Sequence, residues 1–311
     1  MKLYHSIKEF TPDFRPIITL GTFDGVHLGH QFILKRMNEL AKKQNGESVL
    51  LTFYPHPRMV LYPDNQQLSL INTLEENKEQ LEQSGLQHLI IQDFTKEFSR
   101  MKSANFVRDV LVNQLKVHQL IIGYDHHFGR NRKGTYEELI QLAQLYHFQL
   151  EKIPVQQLSN IAVSSTKIRN AIATGAMMQA NKYLNYTFMI NGTVVQGKSI
   201  GKTIGFPTAN IALSNQWKIL PADGVYAVQV RLKEDHFYGM MNIGINPTFD
   251  GTVKSIEVHI FEFNQEIYGA DIKVSIVARV REEKKFDSRE QLKKQLNIDK
   301  HKCMKLLGIM Q

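Results

Sequence analysis

The rhythm of apolar and polar positions changes once along this chain. Up to about residue 185, short apolar runs alternate with stretches of helical spacing. The runs are PIITL (16–20), SVLLTF (48–53), HLIIQ (88–92), QLIIG (119–123) and FQLEKI (148–153), each the length of a buried strand. Between them, Ile33, Met37, Leu40 and Ala41 share one helical face. Phe106, Val107, Val110 and Leu111 mark another such face, and Leu139, Leu142, Ala143 and Tyr146 a third. Thr73 and Glu76 have the spacing of a capping box that opens a further helix. Strands alternating with helices predict an α/β fold of βαβ units, a Rossmann-like parallel sheet covered on both faces. Ligands of such sheets sit beyond the C-terminal ends of the strands.

From about residue 186 the helical stretches stop. FMINGTVV, GVYAVQVRL, FYGMMNIGI, SIEVHIFEF and IYGADIKVSIVARV are strand-like and separated by turn residues. Consecutive strands of this kind predict an antiparallel sheet closed into a small β-barrel. A terminal amphipathic helix follows, capped by Asp287 or Ser288, with Leu292 and Leu296 on one face. The switch falls after Gly175, which divides the chain into expected domains 1–183 and 184–311.

Composition narrows the function classes. A chain of 311 residues, 42% hydrophobic and 22% charged, has the material for two folded domains. No stretch approaches the roughly 18 apolar residues of a membrane span. The first residues, MKLYHSIKEFTPDF, lack the apolar core of a signal peptide, so a cytoplasmic protein is expected. Cys303 is the single cysteine, which excludes an internal disulfide and a cysteine-rich zinc site. The net charge of +8 suits nucleic acid or small polyanions such as nucleoside triphosphates. Basic residues are spread along the chain, without zinc-finger spacing or an RNA-binding aromatic signature, which favours the small polyanion. Nothing in the pattern specifies an oligomeric state.

The first candidate site is LGTFDGVHLGH (20–30), between the first strand and the first helix. Gly21 and Gly25 let the backbone turn tightly and approach a ligand. His27 and His30, three apart, share a face at a helix N-terminus, where free N–H groups and the dipole favour an anion. Two imidazoles there can hydrogen-bond a phosphate and stabilise charge that develops during transfer. Further on, VSSTKIRNAI (163–172) offers Ser164, Ser165 and Thr166 as helix caps, while Lys167 and Arg169 bring positive charge.

These residues carry a resemblance. GTFDGVHLGH resembles the HxGH signature of the nucleotidyltransferase superfamily, in the version of bacterial FAD synthetases. LTFYPHP (51–57), IIGYDHHFGRNRKGT (121–135) and VSSTKIRNAI are similar to further segments of that family, in order. The chain departs from the pattern at His126-His127, where the family usually has Phe. The resemblance implies transfer of an adenylyl group from ATP to FMN, giving FAD and pyrophosphate. It implies that His27 and His30 contact phosphates, that Asp24 and Asp125 lie near the nucleotide, and that Ser164, Thr166 and Arg169 hold the triphosphate. Mg²⁺ would enter chiefly with the nucleotide.

The second candidate site, VVQGKSIGKTIGFPTAN (194–210), has the GKT ending of a P-loop but not its spacing. A P-loop needs four residues between its glycines, and the required position is Gln196. Gly205 and Pro207 also forbid the helix that must follow. With LPADGVYAVQV, MNIGINPTF, SIEVHIFEF, IYG and VREEKKF, the stretch resembles bacterial riboflavin kinase from end to end of that module. The resemblance implies phosphorylation of the ribityl 5′-hydroxyl of riboflavin by ATP. It makes Glu257 the base and Thr208 and Asn210 oxygen ligands for Mg²⁺. Gly197, Gly201, Lys202 and Gly205 form a phosphate flap, and Arg281 lies near the flavin or serves structurally. NPTF (246–249) is expected to be a turn walling the nucleotide site.

Both motif series together imply a bifunctional enzyme whose small-molecule partners are ATP, riboflavin and FMN. Two alternatives are weighed against it: an adenylyltransferase whose second module mainly binds flavin, and a flavin-responsive regulator that binds nucleic acid.

Overall fold

The computed structural model describes residues 1–63, 69–123, 129, 134–154, 163–197, 200–248 and 251–309, with backbone alone at 200, 246–248 and 251–253. The chain divides into two units: Met1–Leu68 with Leu74–Ser164, and Ser69–Thr73 with Ser165–Gln311.

In the first unit, β1 (Lys2–Tyr4), β2 (Arg15–Leu20), β3 (Gly46–Tyr54), β4 (His88–Asp93), β5 (Gln119–Ile122) and β6 (Gln149–Lys152) form one sheet in the order β1-β4-β3-β2-β5-β6. Every pairing is parallel. The five apolar runs are five of these strands. Alternate residues feed two cores, as a sheet buried on both faces requires. Ile18, Leu20, Val49, Leu51 and Leu120 join the π-helical segment Phe106–Gln114 on one side. Ile17, Leu50, Leu89 and Ile121 join the helix Leu28–Lys43 on the other, through Ile33, Leu34, Met37, Leu40 and Ala41. The chain runs from β2 outward to β3 and β4, then returns to place β5 on the other side of β2. That reversal makes the C-terminal end of β2 the switch point where such sheets bind ligands.

β1 has no counterpart in the sequence reading. It holds the sheet edge through pairing with β4 and through the Tyr4 hydroxyl, 3.1 Å from His88 Nδ1. His88 also contacts the Glu47 carboxylate through Nε2.

The second unit is a closed barrel of β7 (Met189–Val195), β8 (Ala209–Leu213), β9 (Gly224–Leu232), β10 (Asp235–Thr248), β11 (Gly251–Ile260) and β12 (Asp271–Glu282), in the order β10-β11-β8-β7-β12-β9. Closure leaves no free sheet edge. Cross-strand pairs Met241–Val258 and Ile243–Ile256 are buried together on one face of β10 and β11. The helices Ser165–Ala173 and Met177–Leu184 belong to this unit.

The terminal helix Arg289–Leu306 is capped by Ser288, whose Oγ accepts from Gln291 N–H. Its Leu292 and Leu296 pack with Ile204, Phe206, Val225 and Phe261. The thiol of Cys303 is buried in the same cluster, and burial pushes it up to about 12, so it stays protonated and inert.

One expectation is corrected in part. Asn246, Pro247 and Thr248 are the end of β10, in register with Val253, Thr252 and Gly251, so Asn-Pro is no turn. The pairing of β10 with β9 has ended at Ile243, so Pro247 lies where no N–H is needed toward β9. Phe249 lies outside the described residues. Among the described residues, no helix is long and apolar enough to cross a membrane.

Candidate active sites

At the end of β2 the chain makes a turn that few residues tolerate. Gly21 and Gly25 have φ of 154° and 81°, but Phe23 and Val26 also lie in the left-handed region, at 47° and 35°. For residues with a Cβ this costs on the order of 1–3 kcal/mol each, and a β-branched residue is especially disfavoured. The turn is held in several places. Gly21 N–H donates to Leu51 O (3.1 Å), and Val26 N–H to Phe23 O (3.0 Å). Gln31 Nε2 donates to Val26 O (2.8 Å), and Gly25 N–H to Asn77 Oδ1 (3.3 Å).

The turn delivers His27 to the N-cap position of the helix Leu28–Lys43, with no cap bond from its own side chain. His27 and His30 stack with ring centroids 3.7 Å apart, and His30 stacks on Phe23 at 4.5 Å. Gly29 leaves room for this, since a Cβ there would lie 3.2 Å from the His27 ring. Burial, and then the proximity of His27, hold the His30 imidazole well below its ordinary pKa of 6.5. His30 is therefore neutral near pH 7, and its Nδ1 is buried without a hydrogen-bond partner. A neutral imidazole can donate one N–H to a phosphate oxygen without carrying its own charge into the site. Asp24 is buried in the same turn. Gly21, Asp24, Gly25, His27 and His30 are thus brought together.

Ser164 immediately precedes the helix Ser165–Ala173, which carries Thr166 and Arg169. Thr166 is exposed, and Arg169 Nε donates to Ser69 O (2.8 Å) within the second unit. Asp125, and with it His126-His127, lies outside the described residues.

In the barrel, β11 places Glu257 opposite Asn210 of β8 and opposite Asn242 of β10. Thr208 Oγ1 donates to Glu257 Oε2 at 3.2 Å. Two residues further on the same face, His259 Nδ1 lies 2.8 Å from Pro207 O, which must be the acceptor. Desolvation lowers the pKa of His259, so it is a neutral donor that fixes the Phe206-Pro207 backbone beside Thr208. Phe206 packs edge-on to the same ring at 5.1 Å. In β11, Ile256, Val258 and Ile260 are buried on the face opposite Glu257, and His259, on the face of Glu257, is buried as well.

The glycines of the flap differ from one another. A Cβ on Gly197 would lie 1.9 Å from Asn210 Nδ2, and one on Gly201 would lie 2.1 Å from the Phe206 carbonyl oxygen. Gly205 has φ of 84° and open space around it. Ile200–Thr203 is a single helical turn, after which the chain passes directly to β8, and Lys202 is exposed. This differs from the strand, loop and long helix of a P-loop. Gly197→Ala is expected to push the Asn210 amide aside. It should lower riboflavin phosphorylation at least about tenfold, because angstrom-scale misplacement of a site group is costly. Thermal melting should move little, and steady-state kinetics with riboflavin and with FMN would show the effect confined to the first.

Arg281 is engaged structurally. Its Nε and Nη2 contact Asp299 Oδ2 at 2.9 and 2.8 Å, and Nη1 donates to Glu282 O. Asp299, wholly buried on the terminal helix, also accepts from Gln295 Nε2.

Asn77, Asn242 and the anchoring role of His259 are absent from the sequence reading. Only strand register and tertiary approach reveal them, and a lone Asn leaves no sequence signal.

The fold and the two clusters define a two-module transferase that handles nucleotide phosphates. The family model for FAD synthetase matches residues 12–167, and that for riboflavin kinase matches residues 184–307. Bifunctional riboflavin kinase/FMN adenylyltransferases of Listeria monocytogenes and Bacillus subtilis are 37% and 35% identical to this chain. Those comparisons cover 96% and 97% of this chain, and 94% and 95% of the relatives. The Escherichia coli K12 enzyme of the same name is 33% identical, with 99% of both chains covered. A Streptococcus pneumoniae crystal structure described as a macrolide-efflux protein superposes with a TM-score of 0.85 at 32% identity, covering 96% of this chain and 97% of that one. The chain belongs to the bifunctional riboflavin kinase/FMN adenylyltransferase family. It is an enzyme with both activities.

Proposed function

We propose that riboflavin is phosphorylated at the Glu257–Thr208–Asn210 cluster and that FMN is adenylylated at the turn bearing His27 and His30. The observation that carries the first half is the strand register that sets Glu257 against Asn210, with Thr208 hydrogen-bonded to its carboxylate. We take residues 1–183 as the adenylyltransferase module and 184–311 as the kinase module, which the spans of the two family models support.

In the kinase module Glu257 accepts the proton of the ribityl 5′-hydroxyl as that oxygen attacks the γ-phosphorus of ATP. ADP leaves, and FMN remains. Thr208 orients the carboxylate, and His259 holds the backbone that presents Thr208. Thr208 and Asn210 supply neutral oxygens that suit Mg²⁺, a hard cation that favours oxygen ligands. Mg²⁺ held by these oxygens would enter with the nucleotide and take its remaining ligands from the phosphates. The chemistry it would supply there is neutralisation of charge on the phosphates. Gly197, Gly201, Lys202 and Gly205 border the ATP phosphates. Arg281 acts beside the flavin by fixing the end of β12 to the terminal helix.

In the adenylyltransferase module, a phosphate oxygen of FMN attacks the α-phosphorus of ATP and pyrophosphate leaves. His27, His30 and the backbone of the Gly21–Gly25 turn stabilise the charge that develops, and no protein nucleophile is needed. Asp24, buried in the same turn, lies toward the nucleotide. The partners are the small molecules ATP, riboflavin and FMN, and the working compartment is the cytoplasm.

The test of the metal assignment is a Mg²⁺ titration of each reaction. Asn210→Ala should raise the Mg²⁺ needed for half-maximal riboflavin phosphorylation by about tenfold, the loss of one modest ligand. The titration curve for FMN adenylylation should stay where it is. A shift in both curves, or in neither, would remove Asn210 from the metal site.

A further inference from the structure

We propose that Asn77 is a positioning residue for adenylyl transfer, acting through the Gly25 amide. The inference rests on the assignment of that reaction to the His27–His30 turn. Asn77 lies on the helix Leu74–Gln83, which contributes none of the groups assigned to the reaction. Its Oδ1 nevertheless accepts the Gly25 N–H at 3.3 Å, across 52 residues of sequence.

The place of this bond gives it consequence. Gly25 sits between Phe23 and Val26, whose left-handed φ values of 47° and 35° are the least natural in the turn. The bonds from Gly21 to Leu51 and from Gln31 to Val26 tie down the two ends of the turn, to the sheet and to the helix it enters. Asn77 ties the middle to a separate element. A strained backbone persists only where its surroundings over-determine it. Here the surroundings must also set the direction in which His27 leaves the turn, one residue after Val26. His27 in turn stacks on His30, so a relaxed turn would move both imidazoles. Asn is suited to the task because its amide oxygen is a neutral acceptor of fixed geometry.

Asn77→Ala should lower kcat for FAD formation from FMN by about tenfold, the worth of one lost hydrogen bond. KM for FMN and ATP should change much less, since a mispositioned turn affects the transferring state more than ground-state binding. Asn77→Asp keeps an acceptor in the same place and should recover most of the loss. Riboflavin phosphorylation serves as the internal control and should be unchanged in both variants. Hydrogen exchange followed by mass spectrometry should show faster exchange of the peptide containing Gly25 in Asn77→Ala, and protection restored in Asn77→Asp.

An Asn77→Ala enzyme with unchanged kcat for FAD formation would overturn the proposal. So would an Asp variant as impaired as the Ala variant, or a loss of both activities together with thermal stability. The underlying assignment is tested apart from this by His30→Ala. If that variant still makes FAD, the site reading fails, whatever Asn77 does to exchange at Gly25.

Discussion

Glutamine in place of Glu257 is expected to cut riboflavin phosphorylation by about 10²–10⁴-fold, the usual worth of a positioned general base. The substitution isolates the proton transfer. The glutamine carbonyl can still accept the Thr208 hydroxyl, which now sits 3.2 Å from the carboxylate, so the cluster need not rearrange. The inner face of β11, with Ile256, Val258 and Ile260 buried, is untouched. The loss should therefore appear in kcat, with KM for riboflavin and ATP little changed. Conversion of added FMN to FAD should continue at its normal rate. Chromatographic separation of the flavins after incubation with ATP and Mg²⁺ reads both results at once. An enzyme that still phosphorylates riboflavin would disqualify Glu257 as the base. One that loses both activities while folded would refute the two-site assignment.

The second large effect is expected at His30. His30→Ala should reduce FAD formation by about 10²–10³-fold, the range for removing one preorganised donor from a charge-stabilising site. FMN should still appear from riboflavin. The imidazole fills the space between Phe23 and His27, so Ala leaves a gap as well as removing a donor. His30→Asn, which restores part of the volume and an N–H, separates the two contributions. Recovery of stability without activity would assign the effect to the imidazole itself.

His30 also has a pH signature. Its folded pKa lies well below 6.5, so the unfolded chain binds the proton more readily. Stability is present above about 6.5 and is lost as the pH falls from there through the folded pKa. His30→Ala should flatten that decline in an acid unfolding series. It should not abolish it, because burial also lowers His118 and His259.

Much of the architecture was legible because burial on both faces of a parallel sheet forces continuous apolar runs, and an antiparallel barrel forces alternation. β1 was not legible, being three residues at a sheet edge with Lys2 and Leu3 exposed. β8, Ala209–Leu213, begins in the last two residues of the GFPTAN motif and is too short to stand out. The apolar spacing of Phe106, Val107, Val110 and Leu111 predicts an ordinary helix. The segment is π-helical, with Leu115 N–H reaching back to Val110 O, a distinction that periodicity cannot resolve over nine residues. Ser69–Thr73 joining the second unit had no sequence signal at all. Its binding groups, including Lys218 Nζ on Ile71 O at 2.6 Å, lie about half the chain away.

The sequence by itself determined the two rhythms, the failure of the GKT triplet as a P-loop, and the identity of the residues able to do the chemistry. Those properties are local: spacing, side-chain type and the backbone limits of Gly and Pro. Only the tertiary structure decided that Thr208 meets Glu257 across 49 residues, that Gly197 is cleared for Asn210, and that His30 is stacked and kept neutral. It alone tied Gly25 to Asn77 and Arg281 to Asp299. The physical reason is that register, burial and desolvation arise from what lies alongside a residue, and those neighbours come from distant parts of the chain.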